Sequence, residues 1–382
     1  MGKVLLLTIG MFALGFDAYV VAGLLPQIGT TFEISDSQTG QSVSVFTLCY
    51  ALAAPVFVTL LAGKSARKVL IVALVIFSVA NGASAIAPNF SLFLLTRAIA
   101  GIGAGLFSPL AVASATMLVP EQKRGRALSM TLGGMSMGTV IGVPLGLKIA
   151  ESIGWQGTIW FITLIGLIAM VGLIMKFPDI PTKATPSLSE RFAILTNKQV
   201  SATVGITFIA SVASLGLYTY LSPVLENLDN INNTIPYLWA WGIGGVIGSF
   251  SIGMIIDRIG RIEWIVVWIL TILAIAMFSI PLVIDMSVPG FGFIPFVLWG
   301  AAGWAALAPQ QHILIQSQPQ HGATAVALNS SANYLGGSVG TILGGGILFT
   351  GLTPSYLPFV AGCIVSIALL GQVMKLRKSK LK

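Results

Sequence analysis

Charged side chains are what this chain most lacks. Of its 382 residues, 8% are Asp, Glu, Lys or Arg, against 55% hydrophobic. A water-soluble domain carries roughly a quarter of its residues as charges. Too few are present here to cover a surface facing water, and the mean hydropathy of +0.93 points the same way. Lipid must solvate the chain. Cysteine is also scarce: Cys49 and Cys363 lie far apart in apolar runs. That excludes a disulfide framework or a thiolate metal cluster and leaves both as small apolar fillers. Histidine is limited to His312 and His321 in a polar, uncharged stretch, which reads as surface. There is no H-E-x-x-H pair, no P-loop, no metal-ligand spacing and no nucleophile beside a histidine. An enzyme or an ATP-driven pump is therefore not expected, and neither is a metal or an organic cofactor.

What is present is a succession of long apolar runs. A hydrocarbon core of about 30 Å takes roughly 20 apolar residues as helix. Such runs fall at 5–26, 42–62, 70–88, 92–118, 127–149, 156–176, 201–222, 234–256, 263–284, 292–312, 322–349 and 355–374. They do not alternate polar with apolar, which excludes a β-barrel. The expected fold class is an all-α membrane protein of twelve transmembrane helices.

The cations set the orientation. If the N-terminus is cytoplasmic, the inner segments hold Lys3; Lys64, Arg67 and Lys68; Lys123, Arg124 and Arg126; Lys176, Lys183, Arg191 and Lys198; Arg258 and Arg261; and Lys375, Arg377, Lys378, Lys380 and Lys382. Only Arg97 and Lys148 fall elsewhere, while Glu33, Asp36, Glu226, Asp229 and Asp285 lie in outer loops. This bias predicts both termini in the cytoplasm. It also accounts for the net charge of +8 without a nucleic-acid partner. The N-terminal apolar stretch is too long for a signal peptide, carries one cation and contains Asp17, so it reads as an uncleaved first helix.

The longest hydrophilic stretch, 177–200, contains Pro178, Pro181 and Pro186 and leaves six spans on each side. It predicts a cytoplasmic linker between two bundles, 1–176 and 201–382. The two halves echo each other. Gly138, Gly142 and Gly146 recur as Gly336, Gly340 and Gly344 at an offset of 198 residues. Arg67 and Arg261 stand in equivalent short basic loops 194 residues apart, and Pro26 and Pro223, closing spans 1 and 7, are 197 apart. Offsets this similar predict a duplicated six-helix unit, as in secondary transporters that rock one half against the other.

Four motifs stand in order along the chain: Thr59-Leu-Leu-Ala-Gly-Lys-Ser-Ala-Arg-Lys68 after span 2, Leu95-Thr-Arg-Ala-Ile-Ala-Gly101 in span 4, Gly138-Thr-Val-Ile-Gly-Val-Pro-Leu-Gly146 in span 5 and Gly253-Met-Ile-Ile-Asp-Arg-Ile-Gly-Arg261 after span 8. Together they resemble motifs of the major facilitator superfamily, and more narrowly of its twelve-span drug–proton antiporter branch of sugar, purine and drug efflux proteins. The first resembles the loop 2–3 signature G-x-L-A-D-R-x-G-R-R and the last its counterpart in loop 8–9. The second resembles the span 4 signature built around an intramembrane Arg, and the third the span 5 antiporter signature, with Val143 inserted before Pro144. The resemblance implies gating roles for Lys64, Arg67 and Lys68 and for Asp257, Arg258, Gly260 and Arg261. It also implies that the glycine face of span 5 packs against the other half. Gly63 stands where the family has an Asp that helps latch the cytoplasmic side, with Thr59 and Ala66 replacing two glycines. The second copy keeps Asp257.

Asp17 is the one acid near the middle of a span. A charge there costs about 2.5–3.5 kcal/mol on insertion scales, so it should face the interior and mark function. At 1.5 Å per residue, Asp17 lies roughly 18 Å from a helix start at residue 5, and Arg97 about 18–21 Å from the inner face. An Asp17–Arg97 pair is thus expected. Burial favours the neutral carboxyl and a nearby guanidinium favours the carboxylate. A group balanced between the two can carry a proton, which would make the proton gradient the energy source; the alternative is a fixed structural pair. The second half has Ser211 at the corresponding position.

The substrate cavity is expected to include Tyr19, Tyr218, Tyr220, Trp299, Asn329 and Asn333, the last two on one helix face by their i, i+4 spacing. Lys148 is expected to snorkel to the headgroups. The resulting expectation is a multi-pass protein of the inner cell membrane, monomeric as the resembled fold usually is. It would exchange protons for a small amphipathic solute; a proton-driven importer or an uncoupled facilitator of a sugar, purine or nucleoside is the alternative.

Overall fold

The computed structural model describes residues 1–60, 64–180, 193–229, 233–284, 290–318 and 321–380. Gly63, Lys183, Arg191, Asp285, Lys382 and half of the expected linker, 181–192, lie outside the described residues. The helices are α1 (Gly2–Phe32), α2 (Asp36–Leu60), α3 (Ala66–Ala85), α4 (Phe90–Met117), α5 (Arg124–Met137), α6 (Val143–Lys176), α7 (Lys198–Thr219), α8 (Leu221–Asp229), α9 (Ile235–Ile259), α10 (Ile262–Ile284), α11 (Ile294–Ala305), α12 (Leu307–Ser317), α13 (Gly322–Phe349) and α14 (Leu357–Lys380). Short 3-10 turns precede several of them, and no strand occurs among the described residues.

These segments make twelve rods. A π-helical turn at Gly138–Gly142 joins α5 to α6. The combined rod breaks at Ile153 and at Gly154, whose φ of 79° no ordinary L-residue adopts readily, and the rest of α6 is the next rod. α7 runs into α8 past Tyr220, and α11 into α12 past Ala306. Length and hydropathy make nine stretches of the described residues able to cross a membrane, of which Glu121–Lys176 holds two rods; α2 and α13 complete the set.

Helix starts follow capping chemistry. Asn89 accepts from Leu92 N–H at 2.9 Å to open α4, and Asn197 accepts from Gln199 N–H at 2.9 Å to open α7. The ends overrun the apolar runs. The expected 5–26 is helical from Gly2 to Phe32 and stops only where Glu33 turns left-handed (φ 54°). Pro26 therefore does not close the first span; it sits inside α1. A proline costs one backbone bond, which a packed membrane helix tolerates.

The chain forms two compact units, Met1–Leu188 and Ser189–Lys382. In the first, α1 packs on α5, the π turn and α6, while α4 packs on α2 and α3. In the second, α7 packs on α13 and α14, and α9 on α11. Glycine makes these approaches possible. A Cβ on Gly101 (α4) would collide with the Phe46 carbonyl, and one on Gly300 (α11) with the Trp241 carbonyl, so the same glycine-to-backbone contact recurs in both units.

Candidate functional site

The first unit holds a closed polar cluster in an apolar surround. Asp17 on α1 is 0% exposed and Arg97 on α4 is 1% exposed. Arg97 Nη1 donates to Asp17 Oδ1 at 2.8 Å. Asn81, from the last two turns of α3, bridges them. Its Oδ1 accepts from Arg97 Nη1 at 3.0 Å, and its Nδ2 donates to Asp17 Oδ2 at 3.3 Å and to the Phe77 carbonyl at 3.1 Å. The guanidinium carbon lies 4.4 Å from the centre of the Phe46 ring, a cation–π contact that replaces lost hydration. Arg97 Nε is buried and finds no protein acceptor.

Burying two ions costs several kcal/mol each, and only good geometry with further hydrogen bonds offsets it. Three helices supply that geometry here, so α1, α3 and α4 are tied at one level. One turn further along α3, Ser84 Oγ and Thr96 Oγ1 are 2.8 Å apart, a second link between α3 and α4. Tyr19 stands half-buried two residues beyond Asp17.

The π turn lies against the same stretch of α1. Thr139 Oγ1 donates to the Gly15 carbonyl at 3.4 Å, and a Cβ on Gly138 would strike the Phe12 carbonyl. On Gly142 and Gly146 a Cβ would enter the Phe16 ring. This corrects the expectation for the span 5 face. Its glycines are covered by α1 of the same unit, because Phe16 fills the trough they leave. Pro144 lacks the N–H that the Val140 carbonyl would accept in a regular helix, which suits the wider π turn. The matching Gly336, Gly340 and Gly344 back onto the Phe208 and Val212 carbonyls and the Tyr220 ring of the second unit.

Aromatic groups of the second unit pack among themselves. The Tyr218 ring centre is 4.6 Å from Trp241, which in turn is 6.3 Å from Trp299. Trp299 Nε1 donates to Ser214 Oγ at 2.7 Å. Tyr220 donates to the Thr341 carbonyl at 2.9 Å, so its hydroxyl serves the packing of α7 on α13. Asn333 Oδ1 accepts from Ser211 Oγ at 2.6 Å, while Asn329 is fully buried.

Of the loop residues, Lys64 and Lys68 are exposed, and Arg67 donates through Nη2 to the Ile174 carbonyl. Ser65 donates to Asp179, an acid just beyond the end of α6. Asp257, Arg258 and Arg261 are exposed, with no ion pair among the described residues, and Gly260 ends α9 with φ 65°. Lys148 is exposed and pairs with Glu151 at 2.6 Å.

Sequence reasoning gave no role to Asn81 and Phe46 in the first unit or to Thr207 and Gln310 in the second, and named Ser211 only as the counterpart of Asp17. Uncharged polar residues inside apolar spans were the available signal.

The sequence profile described as Major Facilitator Superfamily matches residues 7–341. The chain is 29% identical over 377 residues to the inner membrane transport protein YdhP of Escherichia coli K12, covering 98% of this chain and 96% of that protein. It is 24% identical over 351 residues to a probable sugar efflux transporter of Mannheimia succiniciproducens, covering 91% and 87%. Its fold matches the partially occluded, inward-open xylose transporter XylE of E. coli with a TM-score of 0.75 at 18% identity, covering 97% and 96%.

Proposed function

The chain belongs to the Major Facilitator Superfamily of membrane transporters, and on that premise we propose that it is a proton-coupled exporter. It exchanges protons for a small amphipathic solute by alternating access, from a bacterial inner membrane, with both termini cytoplasmic. The observation that carries this reading is the sealed Asp17–Arg97–Asn81 cluster. Asp17 is the acid of the first unit that lies fully buried, and its carboxylate is balanced by a single guanidinium.

The chemistry runs as follows. While the cluster is closed, Arg97 pairs with the Asp17 carboxylate. When the site opens to the outer side, water competes for Arg97 and a proton reaches Asp17. The neutral carboxyl attracts the guanidinium less, so Arg97 and its unpartnered Nε become available to the rest of the cavity. Solute arriving from the inner side returns the site to the ionised, closed pair and the proton leaves inward. A named efflux relative supports the outward direction. The gradient supplies the energy, and no organic or metal cofactor enters the cycle.

The test is a pH-sensitive dye in liposomes carrying the purified protein under an imposed pH gradient. A panel of lipophilic cations, purines and sugars is added to wild type and Asp17→Asn. The reading predicts that at least one compound provokes proton movement in wild type and none does in the variant. Equal proton movement in both would overturn it.

A further inference from the structure

The second unit contains buried amides whose hydrogen-bonding groups the fold leaves unused. Helices α7 and α13 run parallel with their register fixed by two side-chain pairs. Ser211 bonds Asn333 and Thr219 bonds Thr341, each pair separated by 122 residues in sequence. The same offset puts Thr207 and Asn329 at one level, a turn nearer the helix starts. Thr207 donates to Oε1 of Gln310 on α12, which packs against both α7 and α13. Thr207, Gln310 and Asn329 thus gather at one level where three helices meet.

All three are buried, at 2%, 2% and 0% exposure. Yet Nε2 of Gln310 and both Nδ2 and Oδ1 of Asn329 have no partner in the protein. Buried amides are nearly always satisfied, and each exception needs a cause. One turn along α13, Asn333 is satisfied by Ser211, so the same helix can pair an amide when pairing is its purpose.

We propose that Thr207, Gln310 and Asn329 form a subsite for an uncharged hydroxyl or amide group of the transported solute. The unused set comprises two amide donors and one amide acceptor. A hydroxyl or a carboxamide both accepts and donates, and so satisfies both kinds. A carboxylate offers nothing to Oδ1, and an ammonium nothing to the two NH₂ groups. A charge pair one turn away is closed on itself. Lys375 pairs with Glu263 at 3.0 Å and donates to Thr203, one turn before Thr207, at 2.9 Å. On α7, α12 and α13 the one Lys, Arg, Asp or Glu is Lys198, exposed at the start of α7 and more than two turns before Thr207. This subsite rests on the reading of the chain as a solute transporter and narrows its substrate to amphipaths with a neutral hydrogen-bonding head.

Thermal unfolding of the purified full-length protein separates a ligand site from a structural amide. The variants are Asn329→Leu and, for contrast, Asn333→Leu. An amide left unused by the fold can be replaced by an apolar group without loss, whereas one that is paired cannot. Without solute, Asn329→Leu should melt at or above the wild-type temperature, and Asn333→Leu below it. Among D-xylose, lactose, inositol and uridine, at least one should raise the wild-type melting temperature. Its apparent affinity should fall about tenfold or more in Asn329→Leu. Tetraphenylphosphonium, which has neither hydroxyl nor amide, should act equally on both proteins. The proposal is overturned by an Asn329→Leu protein that melts several degrees low, which would mean the amides hold only trapped water. It is equally overturned by an undiminished solute shift in that variant, or by no shift in wild type with any of the four solutes. The liposome proton assay reads the transporter proposal independently, so failure of either is told from failure of the other.

Discussion

At the scale of residues, the account turns on what holds Arg97 in a membrane interior. Removing one member of a buried ion pair leaves the other uncompensated and costs about 3–5 kcal/mol, whereas removing both can be nearly neutral. Arg97→Gln and Asp17→Leu should therefore each lower the melting temperature clearly. The double variant should recover most of the loss, giving a coupling energy of about 2 kcal/mol or more in a double-mutant cycle. Additive losses would mean that the 2.8 Å contact contributes little. Asn81→Leu should cost about 2 kcal/mol, since it removes bonds to both charged partners, and thermal unfolding reads it directly. The pair was legible in the sequence and the bridge was not. Acids are rare enough here that one in mid-span stands out, and counting residues from the helix starts brought Arg97 to its height. Asn81 looked like any other polar residue of an apolar span. What distinguishes it is its bonds to Asp17 on α1 and Arg97 on α4, a meeting of three helices that spacing does not encode. Asn329 and Asn333 looked alike for the same reason, and only the register of α7 on α13 separates the paired amide from the unused ones.

Among the elements, the π turn and its glycines carry the expectation most open to test. The four-residue glycine period announced a flat helix face, but a period names no partner. The partner is α1, and the face supports the very turn that carries Asp17. Ala at Gly138 would press a methyl into the Phe12 carbonyl, a backbone atom that cannot swing away. Overpacking of this kind costs typically 1–3 kcal/mol, and because α1 must shift, proton movement should fall along with stability. Gly133 on the same rod has open space where a Cβ would stand. Gly133→Ala should be neutral or up to about 1 kcal/mol stabilising, as Ala is the better helix former. Melting curves and the dye assay on the two variants give the comparison. If Gly138→Ala melts and moves protons like wild type, α1 does not depend on that contact. Helix ends were the least readable feature at this scale. α1 and α2 continue through polar residues past the apolar run, because a hydrogen-bonded helix stops at a cap or a break and not at the lipid boundary.

For the whole molecule, the twelve rods were legible because lipid leaves the backbone no alternative to continuous helix. The doubling showed as offsets in sequence and reappears as matched contacts, Gly101 on the Phe46 carbonyl and Gly300 on the Trp241 carbonyl. The solute was not legible, since few charges and mostly apolar walls suit many molecules. The proposed orientation rests on the cations and is testable by thiol labelling. With Cys49 and Cys363 replaced by Ser, a Cys at Glu33 or Glu226 should react with an impermeant maleimide in whole cells. A Cys at Lys123 or Arg261 should react only after the membrane is opened. The reverse pattern would invert the topology and with it the proposed direction of proton flow.

The central claim is that Asp17 couples solute movement to protons and is more than a structural tie between α1 and α4. Once a transported solute is known, the most direct measurement compares two modes in the same liposomes, net transport driven by a pH gradient and solute-for-solute exchange at equal pH, for wild type and Asp17→Asn. The account predicts that the variant loses gradient-driven net transport and keeps exchange. Net transport that survives the substitution, or loss of both modes together in a variant that remains folded, would contradict it.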